Sequence, residues 1–135
     1  GARRGPFVDA TSGHPILVSP FHREAALCGT CHDVSNTAFE KDVNGNYPPN
    51  AFDTPAASFY SHTLMPIERT YSEWFYSEYN TLVGVYAPQF GGNKEYVATC
   101  QDCHLRDVTG YGAQLDTTPP PPPLRDDLPL HDMQP

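Results

Sequence analysis

The chain has 135 residues, with 8 Lys+Arg against 16 Asp+Glu and a formal net charge of −8. That length suits one domain rather than two independent cores, and the acidic balance excludes a nucleic-acid binder or a protein docking on an anionic membrane. No apolar run approaches the roughly 20 residues of a membrane helix. With 15 Pro, 10 Gly and 18% charged residues, long helices are disfavoured, while 12% aromatics need something large to pack against.

Residues 1–18 read as extended or irregular. They open Gly1-Ala2-Arg3-Arg4-Gly5-Pro6, without an initiator Met or signal-peptide pattern, as expected of a processed chain or a segment of a longer precursor. A first helix is predicted from Ser19 as N-cap and Pro20 at N1 to about Cys31. Residues 34–50 read as loop, with an Asn44-Gly45 turn and Tyr47-Pro48-Pro49 blocking any helix. Asp42 to Asn46 matches only the first positions of a calcium loop. A second helix is predicted over 55–64, capped by Thr54 and stopped by Pro66.

The third helix has the clearest signal. Thr70 and Glu73 form a capping box, Tyr71, Trp74, Phe75, Tyr79 and Leu82 recur at helical spacing, and Gly84 closes it. A fourth is predicted over 94–104. Beyond it, 7 of the 15 Pro fall in residues 119–135, five of them consecutive at Pro119 to Pro123, which predicts a polyproline II spacer or strap.

All four cysteines are consumed by two identical patterns, Cys28-Gly29-Thr30-Cys31-His32 and Cys100-Gln101-Asp102-Cys103-His104. C-x-x-C-H is the attachment signal of c-type haem. Two thiols add across the two vinyl groups of one ring, the two intervening residues let both sulfurs reach the same edge, and the His becomes the proximal iron ligand. A four-thiolate zinc site is a competing reading, but 68 residues separate the pairs and zinc does not explain a His after each. Redox or structural disulfides compete as well. Two covalent haems would also supply core that a chain of mean hydropathy −0.50 lacks, and folding would then depend on the cofactor.

With His32 and His104 as proximal ligands, four His remain for the distal positions. His22 and His62 are the leading candidates, His14 and His131 the weaker ones, and Met65 and Met133 the non-His candidates. On one continuous helix His22 and His32 would lie about 15 Å apart and could not face the same iron. His22 is therefore assigned to the second haem or to one on a neighbouring chain, and His62 to the first. The surplus of His favours bis-His ligation.

The segments Ser19-Pro20-Phe21-His22-Arg23, Leu27 to Asn36, and Arg69 to Trp74 ahead of Cys100 to His104 resemble the multihaem cytochrome c family, over about residues 14–106. The resemblance implies a mainly α, haem-cored fold with few short helices, much irregular loop and no substantial sheet. It also implies an exported protein, periplasmic or extracellular, that passes electrons to other cytochromes or redox proteins. Some members polymerise into haem-lined filaments, so self-association or neighbouring cytochrome subunits are expected partners. Others are enzymes, so a haem redox enzyme with an open iron is the alternative. Arg69 and Tyr71 would be its acid–base candidates, although a propionate partner and a helix residue explain them as well. The expected organisation is a dihaem domain over 1–116 and a proline-rich segment over 117–135.

Overall fold

The computed structural model describes residues 1–10, 14–112 and 122–131. Three α-helices are present among them, α1 (Ala25–Gly29), α2 (Thr70–Phe75) and α3 (Cys100–His104), none longer than six residues. Eight strands pair into four two-stranded sheets. They are β1 (Arg3–Gly5), β2 (Ile16–Val18), β3 (Ser35–Glu40), β4 (Leu64–Pro66), β5 (Val85–Tyr86), β6 (Tyr96–Val97), β7 (Asp107–Tyr111) and β8 (Leu124–Pro129). Strand outweighs helix, 27% against 19%, which corrects the expectation of a mainly α fold without substantial sheet. The expected helices shrink to single turns because side chains and distant strands take the backbone groups that longer helices would use.

The first predicted helix shows this. Pro20–Arg23 forms a 3₁₀ turn, Glu24 is extended at φ −99° and ψ 137°, and α1 starts afresh at Ala25. The His22 carbonyl accepts from Gln101 Nε2 at 3.3 Å, and the Glu24 carbonyl accepts both from Gln101 Nε2 at 2.8 Å and from the Leu27 N–H at 3.0 Å, which opens α1. His22 and His32 therefore do not share a continuous helix, and the spacing that assigned them to different irons no longer applies. Over 55–64 only Ser61–Thr63 is helical, as a 3₁₀ turn. Ser58 Oγ accepts from the Tyr60 N–H, and Leu64–Pro66 is drawn into pairing with β3.

The third helix begins at Thr70 as expected but stops at Phe75. Ser77 Oγ donates to the Trp74 carbonyl at 2.7 Å and Asn80 Nδ2 to that of Phe75 at 2.8 Å, which caps the helix early. The fourth is confined to α3, because Tyr96–Val97 pairs with β5. Pro119–Pro121 and Met133 lie outside the described residues.

The chain divides into two units, one of Gly1–Leu27 with Trp74–Pro135, the other of Cys28–Glu73. The first holds the parallel pair β1–β2 and the antiparallel pairs β5–β6 and β7–β8. Its strand β8 is clamped to the N-terminal segment. Arg125 lies 3.9 Å above the Phe7 ring and pairs with Asp9, while Arg23 lies 5.0 Å from the same ring and bonds Asp127 at 2.6 Å. In the other unit, β3 and β4 pair, and the Arg69 guanidinium joins the Val34 and Ser61 carbonyls and Ser35 Oγ at 2.6–3.0 Å.

Polypeptide core is scarce. Among the described residues the buried apolar side chains are Ala25, Ala56, Leu64, Ala87 and Val97, and Val97 alone is 0% exposed. Among the described residues twenty large apolar side chains stand exposed, Phe52, Phe59 and Tyr76 among them, so burial within the chain itself stabilises it little. What core there is depends on close backbone approach. Gly84 has a φ of +79°, and a Cβ there would lie 2.1 Å from the Val97 carbonyl oxygen. It serves this contact rather than closing a helix. Gly84→Ala is therefore expected to lower the unfolding free energy by about 3 kcal/mol, measured by denaturant titration. An unchanged midpoint would mean that the turn relaxes around the methyl group.

Candidate haem attachment sites

Each C-x-x-C-H run lies on a short helical turn. In the first, Cys28 is on α1, and its carbonyl accepts from the N–H groups of Cys31 and His32 at 3.0 and 2.9 Å, carrying the turn past Gly29. The second is α3 itself. Thr99 caps it, Thr99 Oγ1 and Asp102 Oδ2 accepting reciprocally in a capping box. At 100° per residue, Cys100, Cys103 and His104 fall on one face of α3, and Gln101, Asp102 and Leu105 on another. This is the disposition that two thioethers and one proximal imidazole require.

None of the four cysteines is in a disulfide; Cys31 is exposed and the others are partly exposed. Burial, and then the Asp102 charge, push the Cys103 thiol above its ordinary pKa. Among the described residues no three His, Cys, Asp or Glu side chains converge on a point where a metal ion could sit.

His32 has a defined partner. Its Nδ1 lies 3.0 Å from Glu68 Oε1, so the ring donates from Nδ1 and keeps Nε2 for a metal. Hydrogen bonds from Thr70 and then from His32 hold the Glu68 carboxyl below its ordinary pKa. His22 is arranged alike, with Nδ1 3.3 Å from the Ser19 carbonyl oxygen. These donor sets fit axial ligation of haem iron through Nε2. His104 and His14 are exposed. His62 is also exposed and sits with its ring centroid 5.2 Å from that of Tyr60.

His22 and His131, singled out separately from sequence, line one cavity of about 540 Å³ together with Phe7, Leu27, Gln101 and Leu105. The volume is that of a small-molecule or cofactor pocket, roughly 300–1,000 Å³. The cavity meets α3 on the face opposite its thiols. Lys94 stands on its wall, bonded to Asp102 Oδ1 at 2.5 Å and Asp107 Oδ2 at 3.1 Å.

Several assignments change at this level. Arg69, an acid–base candidate from sequence, spends its guanidinium on backbone carbonyls, Ser35 and Asp33. The Tyr71 ring packs on Gly29, where a Cβ would lie 2.7 Å from it. Asp42 uses Oδ1 to accept the N–H groups of Asn44 and Asn46, an ordinary turn. Glu68 and the Lys94 triad escaped sequence reading because their partners are remote. The Thr99-x-x-Asp102 box was legible in the sequence and marks where α3 starts.

No known protein family, curated protein or solved structure matches the chain. No helix among the described residues is long and apolar enough to cross a membrane.

Proposed function

We propose that this chain is a dihaem c-type cytochrome that transfers electrons. The observation that carries the reading is the placing of two C-x-x-C-H runs on separate helical turns, the second with both sulfurs and the imidazole on one face. The scarcity of polypeptide core beside many exposed aromatics supports it. Cys28, Cys31, Cys100 and Cys103 would tether the two groups, with His32 and His104 as proximal ligands. His22 and His131, on one cavity wall, and His62 are the distal candidates. Bound haem supplies one-electron redox chemistry. The chain's part would be to hold the His32 and His22 imidazoles in one tautomer and to fix each ring edge through two thioethers.

The partners are other cytochromes or redox proteins, or further copies of a cytochrome chain in an assembly or filament. The net charge of −8, made more negative by propionates, favours a basic partner or tightly buried contacts. Thioether formation outside the cytoplasm makes the protein an exported one, periplasmic or extracellular.

Intact-mass spectrometry of the native protein tests this directly. The expected result is 14.9 kDa plus two haems, with a Soret band. A colourless protein of apo mass ends the proposal. Reduced protein exposed to CO should keep its spectrum, because His ligands on both sides would leave neither iron open. Strong CO binding would instead point to an open iron and a redox enzyme.

A further inference from the structure

We propose that Glu68 is a positioning residue that presents His32 Nε2 to iron and lowers the reduction potential of the haem tethered by Cys28 and Cys31. This rests on the dihaem reading above. His32 Nδ1 and Glu68 Oε1 are 3.0 Å apart although 36 residues separate them.

An exposed His–Glu pair ordinarily contributes little, because both side chains are free to move in water. Here both backbones are pinned. The N–H groups of Ile67 and Glu68 donate to the Val34 carbonyl at 3.0 and 3.1 Å, and the Tyr71 N–H donates to the His32 carbonyl at 2.8 Å. The Arg69 guanidinium binds that same Val34 carbonyl at 3.0 Å. The segment carrying Glu68 is thereby tied to the residues immediately after the attachment motif. The carboxylate and the imidazole therefore meet by construction.

The electronic consequence follows from charge. A carboxylate accepting the Nδ1 proton makes the imidazole a stronger donor at Nε2. The stronger donor stabilises the ferric ion more than the ferrous ion, so the one-electron reduction becomes less favourable. A neutral amide in the same place accepts the proton without that bias. Glu68 would thus set the tautomer and tune the potential together, acting through the His32 ring.

The test uses the mature protein. A pyridine haemochrome assay of the wild type first counts haems, and a count of zero ends the underlying reading irrespective of Glu68. Spectroelectrochemical titration then compares wild type with Glu68→Gln. One of the two potentials is expected to rise by the equivalent of at least a tenfold change in the reduction equilibrium, about 59 mV for one electron, while the other stays in place. Glu68→Asp, which keeps the charge but withdraws it by one methylene, should shift the same potential less, and it carries the test if the Gln variant fails to mature. Glu78→Gln, which removes an exposed carboxylate elsewhere, should move neither. Unchanged potentials in the Glu68 variants, or an equal shift in the Glu78 control, overturn the proposal.

Discussion

Replacing Cys100 and Cys103 together with serine is expected to remove one haem from the chain, halving the Soret absorbance per polypeptide and lowering the intact mass by one haem. The helix itself should survive. Its start is set by the Thr99–Asp102 capping box, and its far side is held by Gln101 on the His22 and Glu24 carbonyls. The loss is therefore chemical rather than a general unfolding of that turn. Serine for Cys28 and Cys31 should delete the other haem in the same way, and the two double variants should have different remaining potentials. If the sulfurs formed disulfides, either substitution would leave the visible spectrum untouched and change thiol counts alone. If they held zinc, metal content would fall with no change in colour. Absorbance, mass and metal analysis of the two variants separate all three chemistries.

Lys94→Met should destabilise the unit that holds β6, β7 and α3 by about 2 kcal/mol. Asp102 and Asp107 are each only 8% exposed, and Lys94 bonds both. Removing one partner of a buried ionic group typically costs about 3–5 kcal/mol because the remaining charges are stranded. The figure is reduced because the Lys94 side chain is 39% exposed and its charge is screened by water.

The effect depends on pH in both directions. Burial raises the Asp102 pKa, but the Lys94 bond and the N–H groups of Ala98 and Thr99 outweigh it, so the folded value lies below the ordinary 3.8. Its stabilisation is complete above that ordinary value and fades as pH falls through the lower folded one. Lys94 is the mirror case. Burial lowers its pKa, yet the bonds and charges of Asp102 and Asp107 leave it above 10.5. Its contribution is complete below pH 10.5 and is lost as pH rises through the folded value. Urea midpoints followed from acid to alkali should show wild type falling at both ends. Lys94→Met should start lower and fall less at each extreme. Parallel curves would mean that the triad is not what links stability to proton binding.

What was legible in the sequence was local. The runs Cys28 to His32 and Cys100 to His104 stand out through spacing alone, and α2 begins at Thr70 where the sequence places a helix start, although the Glu73 N–H bonds the Arg69 carbonyl and the Thr70 hydroxyl bonds Glu68. The lengths of the helices were not legible. The aromatic stripe from Tyr71 to Leu82 has helical period, but Ser77 and Asn80 take the carbonyls that would have continued the helix. The sheets were hidden for a related reason. Strands of two to six residues carry almost no alternation, and pairs such as β3 with β4 depend on contacts across about thirty residues of chain. At the candidate site, His32–Glu68 and Gln101–His22 join residues 36 and 79 positions apart. Period and spacing do not encode such meetings.

The two residues between each pair of cysteines are usually treated as filler, and here they are not. In the first motif Gly29 leaves room for the Tyr71 ring. In the second, Gln101 and Asp102 reach away from the sulfurs to fasten two segments, one through its amide and the other through its carboxylate. The pentapeptides are consequently not exchangeable cassettes. Grafting Gly-Thr into the second, or Gln-Asp into the first, would preserve both sulfurs and the imidazole that the proposed attachment uses while dismantling the scaffold that each copy was fitted to.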